Sequence, residues 1–100
     1  MQNVAQKLKF MPTIKFTSAL KRFFPDLEEG TIAGTTVAEA LQILEQKHPG
    51  FSDFLVEENG HLRQHVNVFV RGELIVDEEK LSDQVGEKDE ILIFQALSGG

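Results

Sequence analysis

The clearest hydrophobic pattern in the chain is "TTVAEALQILEQKH". Val37, Ala40, Leu41 and Leu44 fall at i, i+3, i+4 and i+7, the spacing of one helical face. Thr36 followed three residues later by Glu39 is a capping-box pattern, able to satisfy backbone donors left free at a helix start. Pro49 turns His48 away from helical angles and Gly50 follows, so the helix stops there. Elsewhere the period shortens to two. In "MPTIKF" Ile14 and Phe16 alternate with Thr13, Lys15 and Thr17, and in "HVNVFV" Val66, Val68 and Val70 alternate with Asn67 and Phe69. Arg71-Gly72-Glu73 can turn that strand back into a hairpin. In "EILIFQA" Ile91 and Ile93 share one face and Leu92 and Phe94 the other.

The remaining segments are shorter or less regular. "SALKRFFPDLEEG" holds an irregular turn or short helix that Pro25 breaks, and Gly30 permits the return. "TIA" reads as a short second strand. "FSDFLVEENGHLRQ" reads as a turn of helix or a loop ending at Asn59-Gly60, and the polar connection "DEEKLSDQVGEKDE" buries only Leu81 and Val85. Residues 1 to 10 have no clear period. They are expected to form a mobile N-terminal extension, native or a cloning remnant, before a domain at residues 11–95. There is no internal repeat and no low-complexity tract.

The order strand, strand, helix, strand, strand, strand describes an α+β domain. A short first hairpin, a helical crossover and a closing strand beside the first give a β-grasp arrangement, a mixed sheet of four to five strands packed on one main helix.

Composition supports one domain. The chain has 100 residues, 41% of them apolar and 26% charged, close to the values of compact globular proteins. Its formal charge of -6 opposes binding to phosphate backbones or anionic lipid heads, so no nucleic acid and no membrane partner is expected. The charge is uneven: Lys7, Lys9, Lys15, Lys21 and Arg22 all precede the first acid, Asp26, whereas residues 73–90 carry eight acids and two lysines. With no cysteine there is no disulfide, thiolate zinc site or cysteine nucleophile. No stretch has the apolar length of a membrane span and the start lacks a secretory h-region, so the expected location is cytoplasmic.

Few side chains suggest chemistry. His61 and His65 are four apart but lack the HExxH pattern and sit just before a strand, so they read as surface or packing residues and no metal site is expected. Asp77, Glu78 and Glu79 are consecutive, without the alternation of a calcium loop, and read as a solvated charged loop. No GxGxxG or GxxxxGK cradle is present. No constellation supports an enzyme.

The ending "ALSGG" is different. A Gly-Gly end arises by chance in about 0.5% of chains. Two residues without Cβ make the thinnest peptide, able to thread a channel that any side chain would block. The group at its tip is the Gly100 α-carboxylate, ionised at neutral pH. It can attack the α-phosphate of ATP if a partner supplies positioning and magnesium, giving an acyl adenylate open to sulfur or nitrogen nucleophiles.

The ending "ILIFQALSGG", the preceding "GEKDE" and the hairpin "VNVFVRGE" together resemble the ubiquitin-like sulfur-carrier proteins of the ThiS/MoaD family, over most of residues 12 to 100. The resemblance implies a β-grasp fold and a protein cosubstrate rather than an enzyme, binding no cofactor of its own. Its implied partners are an E1-like adenylyltransferase that uses ATP and magnesium, a sulfurtransferase or other sulfur donor, and a downstream sulfur-accepting biosynthetic enzyme. Gly100 would carry the thiocarboxylate, with Gly99, Ser98 and Leu97 in the flexible tail, residues 96–100. Ser98 stands where alanine is often found. Phe94 matches an aromatic position that presents an apolar surface to the partner, with Leu92 on the same face, and the alternative for Phe94 is a core position. "HPGFSDFLVEENGHLRQHVNVFVRGE" is more similar to the branch holding the carrier for cysteine synthesis and the archaeal-type small modifiers than to compact thiamin carriers, although "LIFQ" also resembles the latter. Residues 1 to 10 match no part of the family pattern.

Four readings follow: a sulfur carrier, a protein modifier forming isopeptide bonds, the small subunit of a molybdopterin synthase, and a β-grasp binding module with an inert tail. The first two share one activated intermediate, and sequence does not separate them.

Overall fold

A computed structural model of the chain describes residues 11–95. The expected extension, residues 1–10, and the expected tail, residues 96–100, lie outside the described residues. Five strands and three helices follow in the order β1 (Thr13–Phe16), α1 (Ser18–Phe23), β2 (Gly30–Thr31), α2 (Val37–Lys47), α3 (Phe51–Leu55), β3 (Val66–Val70), β4 (Glu73–Leu74) and β5 (Glu90–Gln95). The sheet order is β2-β1-β5-β3-β4, with β1 and β5 parallel and every other pair antiparallel. This is the β-grasp topology, and the last strand occupies its centre.

Alternation fixes which face each strand buries. Ile14 and Phe16, Val66, Val68 and Val70, and Ile91 and Ile93 all point inward, where Val37, Ala40, Leu41 and Leu44 of α2 cover them. Phe51 of α3 is fully buried and makes edge-on contacts with Phe16, at 5.9 Å between ring centroids, and with Phe24, at 5.1 Å. Burial of so large a ring, at about 25 cal/mol per Å² of apolar surface, ties α3 into the same core as the sheet.

Three local outcomes differ from the sequence reading. The second strand is Gly30–Thr31 rather than "TIA". Thr31 pairs with Thr13, and one step on Ile32 donates its N–H to Pro12 O at 2.9 Å. Pro12 has no N–H to return, so the ladder ends there and Ile32 turns into the core. The capping box is displaced by one residue. Thr36 Oγ1 accepts the Glu39 N–H at 3.2 Å as expected, but the Glu39 carboxylate reaches back to Thr35, accepting from its N–H at 2.7 Å and its hydroxyl at 2.8 Å. The next donors of α2, Val37 N–H and Ala38 N–H, are taken by the carbonyls of Asp83 and Leu81. This is why Leu81 and Val85 are buried in an otherwise polar connection. The third difference is the number of helices: besides the 11-residue α2, both short segments read as helix or loop form helices, of six and five residues.

At the far end of α2, Glu45 bridges to α3. Its carboxylate accepts the Gly50 and Ser52 N–H groups, each at 2.9 Å, in place of the side chain that the N-cap Gly50 lacks. These bonds hold the Glu45 carboxyl below its ordinary range.

Candidate functional site

Strand β5 connects the core to the diglycine. It is bonded to β1 on one side and β3 on the other, and its last described residue, Gln95, pairs with Val66 and donates its N–H to Thr17 Oγ1 at 3.1 Å. Leu97, Ser98, Gly99 and Gly100 lie outside the described residues, so the geometry of the site begins at the point where the tail departs.

Beside that point is the helix-free face of the sheet. Register sets Phe69 of β3 opposite both Leu92 of β5 and Leu74 of β4, giving a row of three apolar side chains across the strands. Phe94, opposite Asn67, lies diagonally from Phe69, with ring centroids 6.5 Å apart and planes at 83°. Edge-to-face packing of this kind holds the two rings in a fixed relation. Phe69, Leu92 and Phe94, with Gly72 and Glu90 at one end, line a shallow apolar groove. Phe94 is 38% exposed and Leu74 55% exposed, so neither belongs to the core. Of the two positions the sequence left open for Phe94, the structure places it on the outer face.

Two ion pairs border the Glu90 end of the groove. Lys15 Nζ lies 3.1 Å from the Glu90 carboxylate, and Arg71 pairs with Asp89, whose carboxylate also accepts the Gly86 N–H at 2.6 Å. The bond to Glu90 raises the Lys15 pKa. The groove thus has an apolar centre with charges at its border.

Periodicity put Leu92 and Phe94 on one face of β5 and Phe69 on the face of β3 away from its valines, but it did not join the two strands and left out Leu74. The available signal was the hairpin turn. Arg71 and Gly72 both have positive φ, 55° and 80°, as a two-residue type I′ turn requires, and that turn fixes Val70 opposite Glu73 and Phe69 opposite Leu74.

The other candidates take structural roles. His61 Nδ1 lies 2.8 Å from Leu62 O, and His65 is exposed at the entry to β3. Among the described residues no group of three or more His, Cys, Asp or Glu side chains could hold a metal ion. Asp77 organises its own loop, accepting from the N–H groups of Glu79, Lys80 and Ser82 and from the Ser82 hydroxyl, which lowers its pKa to about 2. Asp83 accepts the neighbouring N–H groups of Val76 and Asp77. No helix among the described residues is long and apolar enough to cross a membrane.

The sequence profile of the ThiS family matches residues 14–100. Small archaeal modifier protein 3 of Haloferax volcanii is 24% identical over 94 residues, covering 94% of this chain and 97% of that protein. Among solved structures, a chain of the Amycolatopsis orientalis BexX/CysO complex superposes with a TM-score of 0.74 at 27% identity, covering 88% of this chain and 98% of that one. SAMP1 from Haloferax volcanii superposes with a TM-score of 0.68, also at 27% identity, covering 88% and 97%.

Proposed function

Because this chain belongs to the ThiS family of ubiquitin-like sulfur-carrier and modifier proteins, we propose that it is a sulfur carrier, a protein cosubstrate whose Gly100 carboxylate is adenylated and converted to a thiocarboxylate. The observation that carries this reading is that the family match runs through residue 100 and so includes the diglycine, to which the central strand β5 leads directly. The core fixes the base of the tail while two residues without side chains pass into a partner's nucleotide site.

A Gly100 carboxylate oxygen attacks the α-phosphorus of ATP, held with magnesium by an E1-like adenylyltransferase, and pyrophosphate leaves. A hydrosulfide-level donor attacks the acyl carbon, AMP leaves, and the terminal group becomes a thiocarboxylate. A persulfide donor, such as a sulfurtransferase, requires in addition a thiol to reduce the S–S bond. This chain has no cysteine, so sulfur comes from outside it. A biosynthetic enzyme for an amino acid, cofactor or metabolite then takes the sulfur. The face of Phe94, Leu92 and Phe69 beside the tail base gives these enzymes an apolar surface to dock on, and the similarity to a chain from the BexX/CysO complex supports a partnered mode of action.

A second reading is favoured by the similarity to proteins named as small archaeal modifiers. In it a lysine amine attacks the same adenylate and forms an isopeptide bond. Intact-mass measurement after incubation with activating enzyme, ATP and sulfur donor separates the two. Exchange of one oxygen for sulfur at Gly100 supports the carrier, and adducts on target lysines support the modifier. If a chain lacking Gly99 and Gly100 replaces the full chain in cells without loss, both readings fall.

A further inference from the structure

We propose that the open edge of β2, together with the cleft between β2 and α2, binds an extended peptide of a second partner, one that carries aliphatic side chains flanked by lysine or arginine. Neither the diglycine nor the groove of Phe69, Leu92 and Phe94 takes part in this contact, so it goes beyond the sulfur-carrier and modifier readings.

The edge follows from the register. Among the described residues β2 is the outermost strand on its side of the sheet and pairs with β1 alone. Ile32 N–H donates to Pro12 O, so the Pro12–Ile32 and Ile14–Gly30 positions are the hydrogen-bonded ones, and the Thr13–Thr31 position between them is not. Thr13 gives its N–H to Asp89 O at 3.0 Å, on the β5 side. Thr31 correspondingly directs its own N–H and C=O away from β1, to the open side, where no strand among the described residues meets them. That leaves one donor and one acceptor at an exposed residue, the pair of groups that an added strand engages.

The cleft supplies selectivity. Successive residues of a strand alternate faces, and here Thr31 is exposed while Ile32 is buried in the core with Leu44 of α2. In a peptide paired at Thr31, the residues on either side of the paired one therefore point as Ile32 does, toward α2. There they meet a cleft of about 240 Å³ whose apolar lining is Ile14, Ile32 and Leu44. Asp26 and Glu28, from the segment that leads into β2, line it on one side, and Lys47 and His48, from the end of α2, on the other. The two carboxylates stand where the chain enters β2, beside one end of an added strand, and the chain's formal charge of -6 adds to the attraction for a cationic peptide. The cleft lies on the helix side of the sheet and the groove of Phe69, Leu92 and Phe94 on the helix-free face, so one molecule can hold both partners at once.

The probe is a capped peptide, Lys-Val-Thr-Val-Lys, titrated into the isotope-labelled full-length protein with no enzyme present. The expected result is saturable NMR shifts at the Thr31 amide and at the Ile14, Ile32 and Leu44 methyl groups, with slower exchange of the Thr31 amide. N-methylation of the central peptide threonine removes the N–H that the Thr31 carbonyl accepts, and should weaken binding about tenfold. Replacing both peptide lysines by glutamate should weaken it about fivefold. The double variant Asp26→Lys, Glu28→Lys, at two exposed positions outside the core, should reverse that preference. Four outcomes overturn the proposal: no saturable shift at Thr31, undiminished binding of the N-methylated peptide, equal binding of the lysine and glutamate peptides, and a preference that the double variant leaves unchanged. No Gly100 chemistry enters the titration, so its failure and that of the sulfur-carrier reading are distinguishable.

Discussion

The carboxylate of Glu45 accepts the backbone N–H of Ser52 at 2.9 Å, seven residues on and in a different helix. With the parallel bond from Gly50 it closes the Pro49 turn and sets the entry angle of α3, which in turn places Phe51 under the sheet. Replacing Glu45 by Ala should loosen this corner first. Hydrogen exchange at the Gly50 and Ser52 amides should accelerate by on the order of tenfold while the β5 amides remain protected. Equal acceleration in β5 would show that the corner is not a separate unit.

Acid should weaken the fold in a defined window. The Asp77 pKa is about 2 in the folded protein against an ordinary 3.8, and the Glu39 and Glu45 carboxyls are also lowered by backbone donors. Between about pH 4 and about pH 2 the unfolded chain binds more protons than the folded one, so stability complete above that window is lost as pH falls through it. Urea midpoints measured from pH 6 to pH 2 should decline there. Asp77→Asn should lower the midpoint at neutral pH and flatten the acid slope by at most about one proton.

Phe51 and Phe94 should respond oppositely to truncation. Phe51→Ala removes a ring with no exposure from the contact between Phe16 and Phe24, and should cost about 3–5 kcal/mol in denaturant unfolding. Phe94→Ala removes a ring 38% exposed on the outer face and should cost under about 1 kcal/mol. Its effect should appear in calorimetric titration against the activating enzyme, as an affinity loss of about tenfold or more.

Gly72→Ala tests the hairpin. At φ 80° a side chain is strained even though a Cβ there meets nothing within 4 Å, so the cost is conformational, about 1 kcal/mol. The substitution should lower the thermal midpoint. If stability were unchanged, the turn would tolerate side chains at both central positions.

Periodicity made most of the architecture legible because each strand buries one face and α2 buries one stripe, so inward residues such as Val68, Ile93 and Leu41 identify themselves. The bonds that join elements left no such trace. Glu45 reads as one more exposed acid on a helix, and its two acceptor bonds depend on a turn whose path is set in three dimensions. Thr35 receives the Glu39 carboxylate, where local pattern alone points to Thr36. At the site, alternation put Leu92 and Phe94 on one face of β5 and Phe69 on the face of β3 away from its valines, whereas only strand pairing brings the three together and adds Leu74 through the register imposed by Arg71 and Gly72. The Gly100 carboxylate, expected from the diglycine ending and from the family resemblance, lies outside the described residues.

The parallel pairing of β1 with β5 also governs how the molecule bears load. A force applied between Thr13 and Gln95 acts at opposite ends of two adjacent strands that run in the same direction. It therefore pulls along the ladder and strains its hydrogen bonds in shear, all together, instead of peeling them one by one. An enzyme that grips the protein by its C-terminal end pulls on the strand best able to resist, and the domain should stay folded while its tail is handled.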